Sequence, residues 1–181
     1  MTAPVVIGID LSLASTGLSD GASTWRVESK GSKDATLPER RTRLYDLVRH
    51  VGMHVRDDTA LVVIEGPAYS SRVGHAHDRS GLWWLLVEHL TRQGFAVVEV
   101  TPGGLKKYAT GKGTADKGAM IDAAVRCFPG VETKGQADRV DALWLAAMGL
   151  DWLGYSMLSH RTVAQRAALD AVAWPAVAAA A

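Results

Sequence analysis

Cysteine is almost missing from this chain of 181 residues, with Cys127 standing alone. A lone thiol excludes an internal disulfide and any zinc cluster built on cysteines. Charge of one sign is not in excess either. Twenty Lys and Arg face nineteen Asp and Glu, a formal +1. That excludes a uniformly basic DNA-coating protein but not a local basic patch. Long apolar runs are missing too. The most apolar late stretch, Ala142 to Leu150, is far shorter than the ~20 residues of a bilayer-spanning helix. Residues 1–4 carry no basic region ahead of the first apolar run, which Asp10 breaks, so no secretory signal is expected. These absences point to a soluble protein of a reducing compartment, the cytoplasm, with no membrane partner. What is present is globular composition, 48% hydrophobic and 22% charged.

The pattern along the chain is that of an α/β domain. Val5-Val6-Ile7-Gly8-Ile9 is β-branched and reads as a strand. A second strand is expected from Ser15 to Leu18 and a third from Thr24 to Glu28, with Gly21 turning between them. Pro38 opens a helix whose Leu44, Leu47, Val48 and Val51 recur at helical spacing. Leu61 to Ile64 is apolar on both faces, as in a sheet centre covered on both sides. Helices are expected over 82–90, 119–128, 137–153 and 162–173, and a strand over 95–100. Three strands, then alternating helices and strands, predict a five-stranded mixed sheet flanked by helices. The alanine-rich end, 176–181, is expected to fray.

Both apolar strands finish in a carboxylate, Asp10 and Glu65. Sites in parallel α/β sheets form at the carboxyl ends of strands, so adjacent parallel strands would bring these two together. Either residue alone also suits a turn or a helix cap; the pair suits them less. Asp138 and Asp141 stand three apart at the start of the helix over 137–153 and share one of its faces. One aspartate there serves the helix dipole, and two on one face ask for more. Clustered carboxylates repel and desolvate poorly, a cost that a divalent cation removes. An all-oxygen donor set favours Mg²⁺, with Mn²⁺ as the alternative, over zinc. Two such ions ~3.5–4 Å apart serve phosphodiester hydrolysis.

Positive charge follows in the stretch Thr101 to Lys117, where Lys106, Lys107, Lys112 and Lys117 lie among glycines and threonines. It reads as a loop whose backbone approaches phosphate while the lysines neutralise it; a merely solvated loop is the plainer alternative. After Glu65, Tyr69 can stack on a base or simply pack on the next helix, and Arg72 can contact phosphate. His75 and His77 read as surface histidines. Trp83 and Trp84 read as core or subunit interface, Trp144 and Trp152 as packing residues, and Cys127 as a small buried hydrophobe.

Together these blocks resemble the RuvC-type Holliday junction resolvases. The resemblance lies in Gly8-Ile9-Asp10-Leu11-Ser12 with Thr16-Gly17 and in Val63-Ile64-Glu65-Gly66-Pro67. It continues in Leu105-Lys106-Lys107 with Thr110 to Lys117, and in Asp138-Arg139-Val140-Asp141-Ala142-Leu143. The four blocks run in family order from Gly8 to about Gly149. The resemblance implies an RNase H-like fold over residues 1–158, followed by a C-terminal helix and tail over 159–181. It implies a homodimer and Mg²⁺-dependent nicking of four-way junctions and other branched DNA. Asp10, Glu65, Asp138 and Asp141 would be the catalytic, metal-binding tetrad, with two ions per site. Asp138 would ligate or stand just behind the ligands. Lys106 and Lys117 match family lysines near the cleaved strand, and Tyr69 falls near a junction-contacting phenylalanine. The stretch after Glu65 departs most from the bacterial pattern, which with the short chain suits a bacteriophage-encoded member.

Two other classes compete. An actin-like or sugar-kinase-like ATPase also opens with a Gly-Ile-Asp strand, but needs a second domain for which 181 residues are too few. A non-catalytic branched-DNA binding module is opposed by the presence of all four acidic positions.

Overall fold

The computed structural model describes residues 3–67 and 75–176. Five strands and six helices follow in the order β1 (Val5–Asp10), β2 (Ser15–Ser19), β3 (Thr24–Glu28), α1 (Leu37–Gly52), β4 (Thr59–Glu65) and α2 (Ala76–Arg92). Then come β5 (Val97–Val100), α3 (Pro102–Thr110), α4 (Lys117–Cys127), α5 (Ala137–Trp152) and α6 (Val163–Asp170). The sheet order is β3-β2-β1-β4-β5. β1, β4 and β5 run parallel, while β2 is antiparallel to both of its neighbours. This is the mixed five-stranded sheet flanked by helices that the sequence predicts.

Side-chain alternation along the strands builds two apolar layers. Ile7, Ile9, Val62 and Ile64 face α1 and α2 and pack with Leu47, Val51, Leu82, Leu86 and Leu90. Val6, Leu61, Val63, Val98 and Val100 face the other way, onto the layer of α3, α4, α5 and α6. Asp10 and Glu65 share the parity of Val6 and Val63, so they belong to the α5 face. The last paired positions of β1 and β4 are Ile9 and Ile64, one residue before each carboxylate.

Helix α5 lies unusually close to the sheet because glycines make room for it. A β-carbon on Gly8 would stand 2.1 Å from the Ala142 carbonyl oxygen. Nearly all of α5 is buried, including Trp144, whose ring meets Phe128 and Tyr108 edge-on.

Two expectations are corrected. The stretch Thr101 to Lys117 is not one open loop, since its first half is α3. Thr101 caps that helix by accepting from the Gly104 amide at 3.1 Å, and Pro102 suits the first turn. Gly103 and Gly104 suggest a loop, but the cap and the buried Leu105, Tyr108 and Ala109 override their low helix propensity. Cys127 is exposed rather than buried. It lines an open cleft of about 540 Å³ bounded by α3, α4 and the start of α6, while Phe128 fills the core position next to it.

Tyr69, Arg72 and the tail beyond Ala176 lie outside the described residues. Among the described residues no helix is long and apolar enough to cross a membrane.

Candidate active site

Asp10 and Glu65 end two adjacent parallel strands, and Asp138 and Asp141 sit in the first two turns of α5 above them. Asp10, Glu65 and Asp141 act on one another, and Asp138 acts more weakly on Asp10 and Asp141. Asp10 is half-buried, and the loss of water around it pushes its carboxyl well above the usual range; the charges of Glu65, Asp141 and Asp138 push it further. A side-chain hydrogen bond joins Asp10 and Glu65, and it raises Asp10 while lowering Glu65. Glu65 is pushed up to about 7, first by burial and then by Asp141, against the pull of Lys106. Asp141 rises to about 6 through burial, while Lys106 and Lys117 draw it down. The tetrad expected from the sequence is therefore brought to one edge of the sheet.

Two of the four lysines join it. Lys106 on α3 acts on both Glu65 and Asp141, and Lys117, at the start of α4, acts on Asp141. Lys107 lies half-buried in the last turn of α3. Lys112 lines the cleft bounded by α3, α4 and α6, together with Cys127.

Sequence reasoning did not find three residues that handle these acids. Arg26 on β3 places Nε 2.8 Å from an Asp138 carboxylate oxygen, and the Ser15 hydroxyl donates to the same oxygen. The Trp83 indole N–H donates to the Glu65 carbonyl at 3.0 Å and fixes the end of β4. Only the β2–β3 register, with Arg26 opposite Gly17, shows that Arg26 shares the α5 face. The weaker signals settle as surface or packing groups. His75 and His77 are exposed, Trp83 is buried, Trp84 is exposed, and Trp152 stacks on Trp174.

Comparison with solved structures identifies the architecture. One match is Thermus thermophilus RuvC, with a TM-score of 0.61, 20% identity, and coverage of 83% of this chain and 97% of that one. The fold is RuvC-like. A second match is T. thermophilus RuvC in complex with a Holliday junction substrate, at a TM-score of 0.58, 20% identity and 83% coverage of this chain. No protein-family model and no curated protein matches the chain.

The carboxylates stand closed on themselves and on Arg26. Among the described residues no three His, Cys, Asp or Glu side chains are gathered as they would be around a metal ion. Their chemistry nonetheless fits a hard divalent cation. Half-buried acids whose charges repel one another are poorly compensated by the protein, and an oxygen-binding dication would supply the missing charge.

Proposed function

We propose that this chain is a divalent-metal-dependent endonuclease that nicks branched DNA, four-way junctions foremost, by phosphodiester hydrolysis. The observation that carries this reading is that Asp10, Glu65 and Asp141 stand half-buried at one sheet edge, close enough for their charges to repel, on a RuvC-like fold. The Holliday junction bound to the second T. thermophilus RuvC structure supports the choice of substrate.

In this mechanism Asp10, Glu65 and Asp141 would be the residues that hold Mg²⁺ or Mn²⁺, two ions per site. The ions would supply Lewis-acid activation of the phosphate and of the attacking water. The protein orients the reaction. Lys106, beside Glu65 and Asp141, and Lys117, beside Asp141, would hold the scissile phosphate against the carboxylates. Lys107 and Lys112 extend that positive charge along the strand, and Tyr69 and Arg72 would meet the junction. Trp83 keeps the end of β4 in register for Glu65. A homodimer belongs to this reading because a four-way junction presents two equivalent strands. The face of α2 that leaves Trp84 66% exposed is its proposed interface. Residues 159–181 would then be an extension of the nuclease domain, and α6 lies on α3 through Ala168 and Leu169.

Incubation with Mg²⁺ and labelled linear, flap, fork and four-way DNA tests this function. Paired nicks in four-way DNA, and weak or no cutting of linear duplex, are expected. Junction binding without nicks would leave only a branched-DNA binding module.

A further inference from the structure

The four acids are not equivalent in this chain. Asp10, Glu65 and Asp141 act on one another, whereas Asp138 is held by other partners. One Asp138 oxygen takes the Ser15 hydroxyl and the Arg26 Nε, the latter at 2.8 Å. The other accepts the Arg139 amide at 2.9 Å. Arg26 also donates to the Ser15 oxygen and reaches Glu28 with Nη1 at 3.2 Å. Ser15 opens β2, and Arg26 lies opposite Gly17 on the edge strand, so both reach Asp138 across the face on which α5 sits. With 13% of its side chain exposed, Asp138 holds this pair largely out of water, where a charge-assisted bond is strong. Of the neighbouring charges on Asp10, that of Asp138 weighs least.

Oxygens already bonded to a guanidinium and a hydroxyl are poor ligands for a cation. We infer that Arg26 and Ser15 form a clamp that withholds Asp138 from the divalent-cation site. The site then holds its first ion with Asp10, Glu65 and Asp141 alone. Arg26 is a positioning residue that acts through Asp138 and limits how tightly, and in what number, ions are held without DNA. This inference rests on the proposed metal-dependent reading and deepens it.

Binding of Mn²⁺ to the full chain, measured by electron paramagnetic resonance and calorimetry without DNA, tests the clamp separately from cleavage. Asp138→Asn is expected to stay within about threefold of the parent affinity, while Asp141→Asn weakens it about tenfold or more. Arg26→Gln is expected to tighten binding about tenfold or to add a second ion. The double variant Arg26→Gln/Asp138→Asn should lose that gain. Ser15→Ala should shift binding the same way by less, and serves where the Arg26 variant folds poorly. An Asp138→Asn loss matching that of Asp141→Asn, or an Arg26→Gln variant that binds no better than the parent, overturns the clamp and leaves the nuclease reading standing. A parent protein that binds no Mn²⁺ overturns both.

Discussion

Gly17 lies directly beneath Asp138, and a β-carbon on it would stand 2.0 Å from the Asp138 carbonyl oxygen. That approach sets the height of α5 over the sheet and with it the reach of Asp138 and Asp141. Gly17→Ala must therefore lift the start of the helix or strain the strand. A loss of roughly 3 kcal/mol is expected in urea unfolding, together with weaker cleavage. Unchanged stability would show that the helix is not seated there.

Removing one carboxylate should separate chemistry from binding. Asp10→Asn deletes the proposed central ligand but none of the lysines proposed to meet phosphate. Its cleavage of four-way DNA is expected to fall roughly 10²–10³-fold, several kcal/mol of barrier, with junction affinity in gel shifts kept. Mg²⁺-dependent nicking at the parent rate would refute the role given to Asp10.

The same acids set a pH dependence for the metal-free protein. Glu65 at about 7 and Asp141 at about 6 lie above their ordinary values, and Asp10 is raised as well. The fold therefore binds more protons than the unfolded chain between about pH 4 and 7, so its stability falls as pH rises through that window. Thermal melts in EDTA should show a lower Tm at pH 8 than at pH 5. Added Mg²⁺ should raise the Tm more at pH 8, because the ion replaces the lost protons. Glu65→Gln should flatten the slope; an unchanged slope would deny that this residue titrates near 7.

Lys106 is the lysine that acts on two of the acids, Glu65 and Asp141. Lys106→Ala should reduce the salt dependence of junction binding by about one counterion and slow cleavage. Lys112→Ala, in the cleft beside Cys127, should change binding without the same loss of rate. Equal losses of rate would erase that distinction.

An ion pair ties the C-terminal segment to α5, and a hydrogen bond from Tyr108 ties the same acid to the lysine-bearing α3. The Asp151 side chain is fully buried, with Tyr108 Oη donating to it at 2.9 Å and Arg161 at 2.9 Å outside hydrogen-bonding angles. Asp151→Ala is expected to cost about 1–3 kcal/mol in denaturant unfolding, since it leaves the buried Tyr108 hydroxyl without its carboxylate but only a part-exposed guanidinium unpaired. Arg161→Ala should cost at least as much, about 3 kcal/mol, since it leaves the fully buried Asp151 carboxylate without its cation.

Much of this was legible before any coordinates. Two apolar strands each ending in an acid gave the sheet edge, and parity along β1 and β4 then put Asp10 and Glu65 on one face. The aspartates three apart on α5 followed from helical spacing. α3 was hidden because its two glycines resemble loop punctuation, while the Thr101 cap and the apolar Leu105 and Tyr108 outweigh them. Cys127 was misread because composition does not say that the groove beside α4 stays open. Arg26 escaped because its partner, Asp138, lies 112 positions away and is reached only through a strand register.

The indole of Trp83 gives the protein a built-in optical gauge. Its N–H is bound to the backbone of Glu65, the residue whose carboxylate belongs to the proposed metal-holding cluster. Any tug on that strand end alters the polarity around one ring. In a variant with the other five tryptophans replaced by phenylalanine, ligand arrival could be followed as a colour shift in emission, with no label attached.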